Sequence, residues 1–302
     1  MSSNVIEHNA LKVSALGAFF MASLGLGFGI WTQSEAILLD GLFSLVSFCI
    51  GGITLKVSTL INQPTSKNYQ FGLSALEPLL NLTKGLIMTF LCGFAVVNAV
   101  KSIMNGGREL DGLLAFSYAV IAGVGCFLVF FNSKRCYKKT NSPILNVDAS
   151  NWLIDGIISG AVGLAFLAAF FMQDGAAKPI IPYLDSIIVL VLVLAVIKIP
   201  YALIRDNFHQ VLLGAPNPKL QEAIRQDILE IFADLEYQES KFRMGQSGRF
   251  ITVIACFLVS DDLSLSRLDA YSLKLHDLVQ KSYPHTFIEP IICKDKQVFA
   301  MK

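Results

Sequence analysis

Asp148, Asn151 and Asp155 have the residue types and spacing that could do chemistry inside a membrane. They stand at i, i+3 and i+7, so a helix would carry them on one face. They open an apolar, glycine-dotted run to about Met172, long enough to cross a bilayer. A carboxylate at the centre of such a helix costs about 2.5–3.5 kcal/mol on insertion scales. Either a polar contact between helices or part of an ion path accounts for residues kept at that cost, and for intramembrane acids the ion path carries more weight. The other notable polar residues of the apolar runs are Asp40, Ser44, Ser47 and Asn81.

The elements that must position these residues follow from composition. Of 302 residues, 54% are hydrophobic and only 16% charged, too apolar for an ordinary soluble domain. A net charge of +1 suggests no nucleic-acid partner. Six cysteines at 49, 92, 126, 136, 256 and 293 form no CxxC, which argues against a zinc knuckle or a disulfide framework. Met1 to Lys12 lacks a basic signal-peptide start and a cleavage pattern, so the first apolar run is expected to be kept.

Hydropathy marks six spans at about 13–31, 36–57, 78–101, 113–132, 147–172 and 183–203. Lys12, Lys56, Lys67, Lys134, Arg135, Lys138, Lys139 and Arg205 fall at one set of ends, against Lys101, Arg108 and Lys178 at the other. The positive-inside rule then puts both termini in the cytoplasm of a multi-pass protein of an inner or plasma membrane. The division is expected at 1–210 for the membrane domain and 211–302 for a cytoplasmic domain. In the latter, Leu220, Ile224, Ile228, Leu229, Ile231 and Phe232 give a helical pattern. Strands are expected at Tyr237–Met244 and Phe250–Val259 around the turn Gly245-Gln246-Ser247-Gly248. Ser264 could cap a second helix with Leu268, Tyr271, Leu275, Leu278 and Val279 inward, and a strand Thr286–Cys293 closes an αββαβ order.

Several motifs together resemble the cation diffusion facilitator (cation efflux) family. Ser34 to Ser44, reading SEAILLDGLFS, resembles the family's second-span motif. Phe71-Gly72 followed by Leu76-Glu77-Pro78-Leu79 resembles the entry to the third span. Ser142-Pro143 through Asp155 resembles the fifth, Tyr183 to Ile187 the start of the sixth, and Phe287-Ile288-Glu289-Pro290 the end of the cytoplasmic domain. The resemblance implies six transmembrane helices, a cytoplasmic ferredoxin-like α+β domain, a homodimer in the lipid bilayer, and export of a divalent metal cation in exchange for protons. It also implies a tetrahedral site with two residues four apart on each of the second and fifth spans.

This sequence departs from that pattern. The fifth-span positions hold Asn151 and Asp155, and the second-span positions hold Phe43 and Ser47. Ala270-Tyr271 and Phe287 stand where the cytoplasmic domain often has metal-binding histidines, and the basic loop of about 133–146 has none. Loss of histidine argues against a tight zinc site and favours harder ions bound by oxygen, such as Mn²⁺, Mg²⁺ or Fe²⁺, with the choice among Mn, Fe, Mg and Zn left open. Spacing and topology suggest that Asp40 and Asp155 share one cation, while Asp148, Asn151 and Ser47 form a second, more cytoplasmic position. The same carboxylates could carry protons.

Ser44 and Ser47 have a competing reading as packing serines, and Asp40 and Asp148 as helix-to-helix contacts. His276 and His285 read as surface residues, and no cofactor is expected beyond the transported ion. Two other functions compete. One is a non-transporting paralogue serving as scaffold or heteromeric partner. The other is an intramembrane aspartic enzyme built on Asp40-Gly41 and Asp155-Gly156, which the αββαβ domain and the efflux motifs disfavour. The expectation is therefore a transporter and not an enzyme, with a C-terminal domain that dimerises by apolar packing.

Overall fold

The computed structural model of the chain describes residues 3–61, 72–107, 112–140, 143–171, 178–260, 264–283 and 285–301. Helix α1 spans Ser3–Thr32, α2 Glu35–Ile61, α3 Leu76–Met104, α4 Gly112–Thr140 and α5 Pro143–Phe171. A 3₁₀ turn, Lys178–Tyr183, leads into α6 (Leu184–Val196) and α7 (Lys198–Val211). Six stretches are long and apolar enough to cross a membrane: Asn9–Thr32, Glu35–Ile53, Leu76–Met104, Gly112–Thr140, Asp148–Ala168 and Pro179–Val211.

The expected spans lie within these helices, with two differences. The sixth is not one continuous helix, because Pro200 has no N–H to give the carbonyl of Val196, and the chain turns at Ile197. The expected basic loop of about 133–146 is helical through Thr140 and again from Pro143. Lys138 and Lys139 sit in the last turn of α4, where cations meet the negative end of the helix dipole, and Pro143 suits the first position of α5. The motif residues Tyr69 to Phe71, Ser142, and the charges Lys67 and Arg108 lie outside the described residues.

The chain divides into two compact units, Met1–Lys56 with Thr83–Leu203, and Val57–Leu82 with Ile204–Lys302. The first has small residues along its seams. Ala115, Ala119, Ala122 and Cys126 line one face of α4 and are buried. A Cβ built on Gly163 would come within 2.8 Å of the Ala119 Cβ, so α4 and α5 touch almost backbone to backbone. Gly25 and Gly29 of α1 face α2 closely, whereas Gly27, Gly51 and Gly52 face open space. Phe20, Phe90, Leu128, Phe131, Leu164 and Leu194 point outward, the surface that lipid requires.

The second unit contains α8 (Pro218–Ile231), β1 (Tyr237–Ser247), β2 (Phe250–Val259), α9 (Leu265–Ser282), β3 (Thr286–Cys293) and α10 (Lys296–Met301). The sheet runs β1-β2-β3, with β1 antiparallel and β3 parallel to β2. Asn217 caps α8 by accepting from the Lys219 N–H at 3.0 Å, with Pro218 at the first position. Alternate residues of β2 explain the layers. Val253, Ala255 and Phe257 pack on Ile224 and Ile228 of α8, on Phe232 just past its end, and on Tyr271 and Leu275 of α9. Cys256 and Leu258, on the opposite face, pack on Phe299 of α10, an element the sequence reading lacks. The β1–β2 turn falls later than expected. Ser247 pairs with Phe250, leaving Gly248 and Arg249 as a two-residue loop, and Gly248 supplies the positive φ of +60°.

Candidate metal centre

The site begins with a glycine contact. A Cβ on Gly25 of α1 would lie 2.5 Å from the Gly41 Cα of α2, so neither position has room for a side chain. That crossing fixes Asp40, the residue before Gly41. Tyr118 of α4, itself buried, donates its hydroxyl to an Asp40 oxygen at 2.6 Å. The same hydroxyl would lie only 3.1 Å from a Cβ on Gly25. One missing side chain therefore serves both the helix crossing and the hydroxyl that holds the carboxylate.

A second carboxylate sets the register of α2. Asp185, in the first turn of α6 and 2% exposed, accepts from the Ser34 hydroxyl at 2.5 Å and from the Glu35 N–H at 2.8 Å. A longer contact of 3.4 Å reaches the Ala36 N–H. These N–H groups belong to the start of α2, where no carbonyl of the preceding turn can take them, and an anion there also meets the positive end of the helix dipole.

Asp155 of α5 interacts electrostatically with Asp40 and with Lys84 of α3. Its side chain is exposed on α5. Asp40 of α2, Asp155 of α5 and Lys84 of α3 thus influence one another's charge within the first unit.

The other candidate residues lie differently. Asp148 accepts from the Ser14 hydroxyl of α1 and the Ser133 hydroxyl of α4, each at 2.7 Å. The Trp152 indole donates to Ser14 at 2.8 Å, so a Trp152–Ser14–Asp148–Ser133 chain joins α1, α4 and α5. Both Asp148 oxygens thus have hydroxyl donors, and Ser47 and Asn151 are not among its hydrogen-bond partners in the described residues. Ser47 is half-buried on α2, and Asn151 is exposed on α5. Phe43 packs against the apolar core. Among the described residues, no three His, Cys, Asp or Glu side chains converge as a metal-holding group.

Sequence reasoning missed three residues of this region. Tyr118 carries no signal, since a tyrosine in an apolar span is most often packing. Asp185 was visible only as part of a motif. Lys84 did carry a signal: it is the one charged residue inside the 78–101 run before its terminal Lys101. Glu77 of the third-span motif pairs with Arg249 at 3.3 Å within the second unit.

In sequence, the profile described as the cation efflux transmembrane domain matches residues 11–212. The chain belongs to the cation efflux family, and with its six apolar helices it is a multi-pass membrane protein. Two relatives are the magnetosome protein MamM of Paramagnetospirillum magneticum (strain AMB-1) and MamM of Magnetospirillum gryphiswaldense (strain MSR-1). Each is 24% identical over 165 residues, 54% of this chain and 52% of the relative. The chain thus spans about half the length of these two curated relatives. The manganese efflux system protein MneP of Bacillus subtilis (strain 168) is 20% identical over 256 residues, 85% of each chain.

Proposed function

We propose that this protein exports a divalent metal cation from the cytoplasm in exchange for protons, with the cation held between Asp40 of α2 and Asp155 of α5. What supports this reading is the electrostatic interaction between these two carboxylates, one on α2 and one on α5. Oxygen donors favour a hard ion, and manganese is the first to test, since a relative similar over most of the chain is named for manganese efflux. In this reading the C-terminal unit is cytoplasmic and the protein works as a homodimer. Tyr271 is buried and stacks on Phe232, with ring centroids 4.6 Å apart, so the position often held by a metal-binding histidine contributes to an apolar core. That supports dimerisation without a bridging metal.

The test is Mn²⁺ uptake into proteoliposomes with an internal pH indicator. The wild type should move Mn²⁺ and protons in opposite directions, and Asp155→Ala should abolish both fluxes. Wild-type transport by Asp155→Ala would refute the assignment. A second reading, a non-transporting partner of an active relative, is favoured by Phe43 packing into the core at a ligand position and by the absence of a three-ligand cluster among the described residues. It predicts no uptake of any divalent ion by the purified protein alone.

A further inference from the structure

We infer that the β1–β2 loop, Gly248 and Arg249, is a joint that ties the start of α3 to the end of α7 and makes turnover depend on the C-terminal hairpin. The tie itself consists of contacts within the second unit, and its part in transport rests on the export reading above.

Both helices belong partly to each unit. α3 starts at Leu76 in the second unit and enters the first at Thr83, while α7 leaves the first after Leu203 and ends in the second at Val211. Three contacts gather these two ends on the hairpin. Arg249 donates from Nε to Oε2 of Glu77, in the first turn of α3, at 3.3 Å. The Gly248 N–H donates to the Gln210 side-chain oxygen of α7 at 3.1 Å. The Gln246 N–H donates to the carbonyl of Gly214, just past α7, at 2.9 Å. Gly248 is confined from two sides. Its φ of +60° disfavours a side chain, and a Cβ there would come within 2.8 Å of Glu77 Oε2 and 3.3 Å of the Ser74 carbonyl oxygen. On the α7 side, Leu213 holds a φ of +56°, rare for a bulky residue, and its carbonyl oxygen lies 3.1 Å from where a Cβ on Gly245 would stand.

A two-residue hairpin loop needs glycine for its backbone, but it needs no partner on another element. This loop has one on each of two helices. The Arg249 and Glu77 side chains are 39% and 29% exposed, so their ion pair adds little stability, and its effect is on position. β1 pairs with β2 from Tyr237 to Ser247, and β2 runs through the apolar core, so the loop is the tip of a stiff ribbon. Alternating access requires membrane helices to shift against one another. Two helices held at one end by a single stiff ribbon shift together. Arg249 and Gln210 belong to the second unit, whereas Asp40 and Asp155 belong to the first. Arg249 and Gln210 are therefore positioning residues that act on turnover and not on affinity for the ion.

The experiment compares full-length wild type, Arg249→Glu, the charge swap Arg249→Glu with Glu77→Lys, and Arg243→Glu as a control that reverses an exposed charge elsewhere on β1. Mn²⁺ uptake into proteoliposomes, equilibrium Mn²⁺ binding in detergent and amide hydrogen exchange are measured for each. Arg249→Glu should lower maximal turnover about fivefold or more, the lower end of ordinary coupling between sites, with Mn²⁺ binding unchanged. Its amides in Leu76–Leu82 should exchange faster, since the first turn of α3 has lost its tie. The charge swap should recover most of both effects, and Arg243→Glu should show neither. If Arg249→Glu is not recovered folded, Arg249→Gln carries the same direction of change. Wild-type turnover or wild-type exchange in the Arg249 variant would overturn the inference, as would a loss that the swap does not recover or that Arg243→Glu reproduces. Weaker Mn²⁺ binding at unchanged turnover would overturn it too. A wild-type protein that moves no divalent ion would overturn the export reading and the role in turnover with it, while hydrogen exchange would still decide whether the hairpin ties the two helices.

Discussion

Asp185 lies outside the cation site, yet its removal should cost this protein more than most single changes. Its carboxylate is buried and serves the Ser34 hydroxyl and the Glu35 N–H at 2.5 and 2.8 Å. Hydrogen bonds to a charged group contribute about 1.5–3 kcal/mol each, and a buried donor left without an acceptor bears its own desolvation cost of about 1–3 kcal/mol. Asp185→Ala should therefore destabilise the bundle by ~4 kcal/mol, the range found when a buried charge contact is broken. Asp185→Asn keeps one acceptor oxygen but loses the charge and its interaction with the helix dipole, and should cost ~2 kcal/mol. Unfolding in mixed micelles, followed by the fluorescence of Trp31 beside the α1–α2 turn, would measure both. Because Asp40 lies five residues beyond Glu35, a frayed first turn of α2 should also weaken Mn²⁺ binding by the remaining folded protein. An Asp185→Ala variant within 1 kcal/mol of wild type, or an asparagine variant as damaged as the alanine one, would refute the capping role.

Other outcomes follow from the same contacts. Tyr118→Phe removes the 2.6 Å hydrogen bond that orients Asp40 and should raise the half-saturating Mn²⁺ concentration at least severalfold in a proteoliposome assay. Gly25→Ala would force α1 and α2 apart at a 2.5 Å contact and should cost about 1–3 kcal/mol in the same unfolding assay, with loss of Mn²⁺ binding. In the second unit, Tyr283 donates to Asp227 at 2.6 Å, and burial, with that bond to a carboxylate, pushes its phenol up to about 12. A raised phenol favours the neutral form in the fold, so its stabilisation is complete below about pH 10 and lost as pH climbs through about 12. Tyr283→Phe should be less stable than wild type at pH 8, with the gap closing across that window in unfolding titrations. Chelation of the full-length protein should leave the proposed homodimer intact by light scattering.

Periodicity and hydropathy alone located six spans and an αββαβ domain, because burial in lipid or in a two-layer core constrains whole faces of each element. The strands Phe250–Val259 and Thr286–Cys293 were legible for that reason. The turn was misplaced because a glycine at either end of Gly245–Gly248 satisfies turn chemistry equally well, and only strand pairing chooses Gly248. The spacing of Asp148, Asn151 and Asp155 identified a polar face of α5 but could not assign its members. Tertiary contacts did so. Ser14, 134 positions earlier, and Ser133, on the preceding helix, approach Asp148, and their hydroxyls draw its oxygens toward α1 and α4. Asp155 interacts electrostatically with Asp40 and Lys84, residues 115 and 71 positions earlier in the chain, and no local pattern records such an interaction. The sequence thus determined which residues a membrane would tolerate only for a reason, and packing decided which became struts between helices and which influence one another's charge. Helical spacing orders one helix face, whereas long-range electrostatics depends on which faces the bundle brings together.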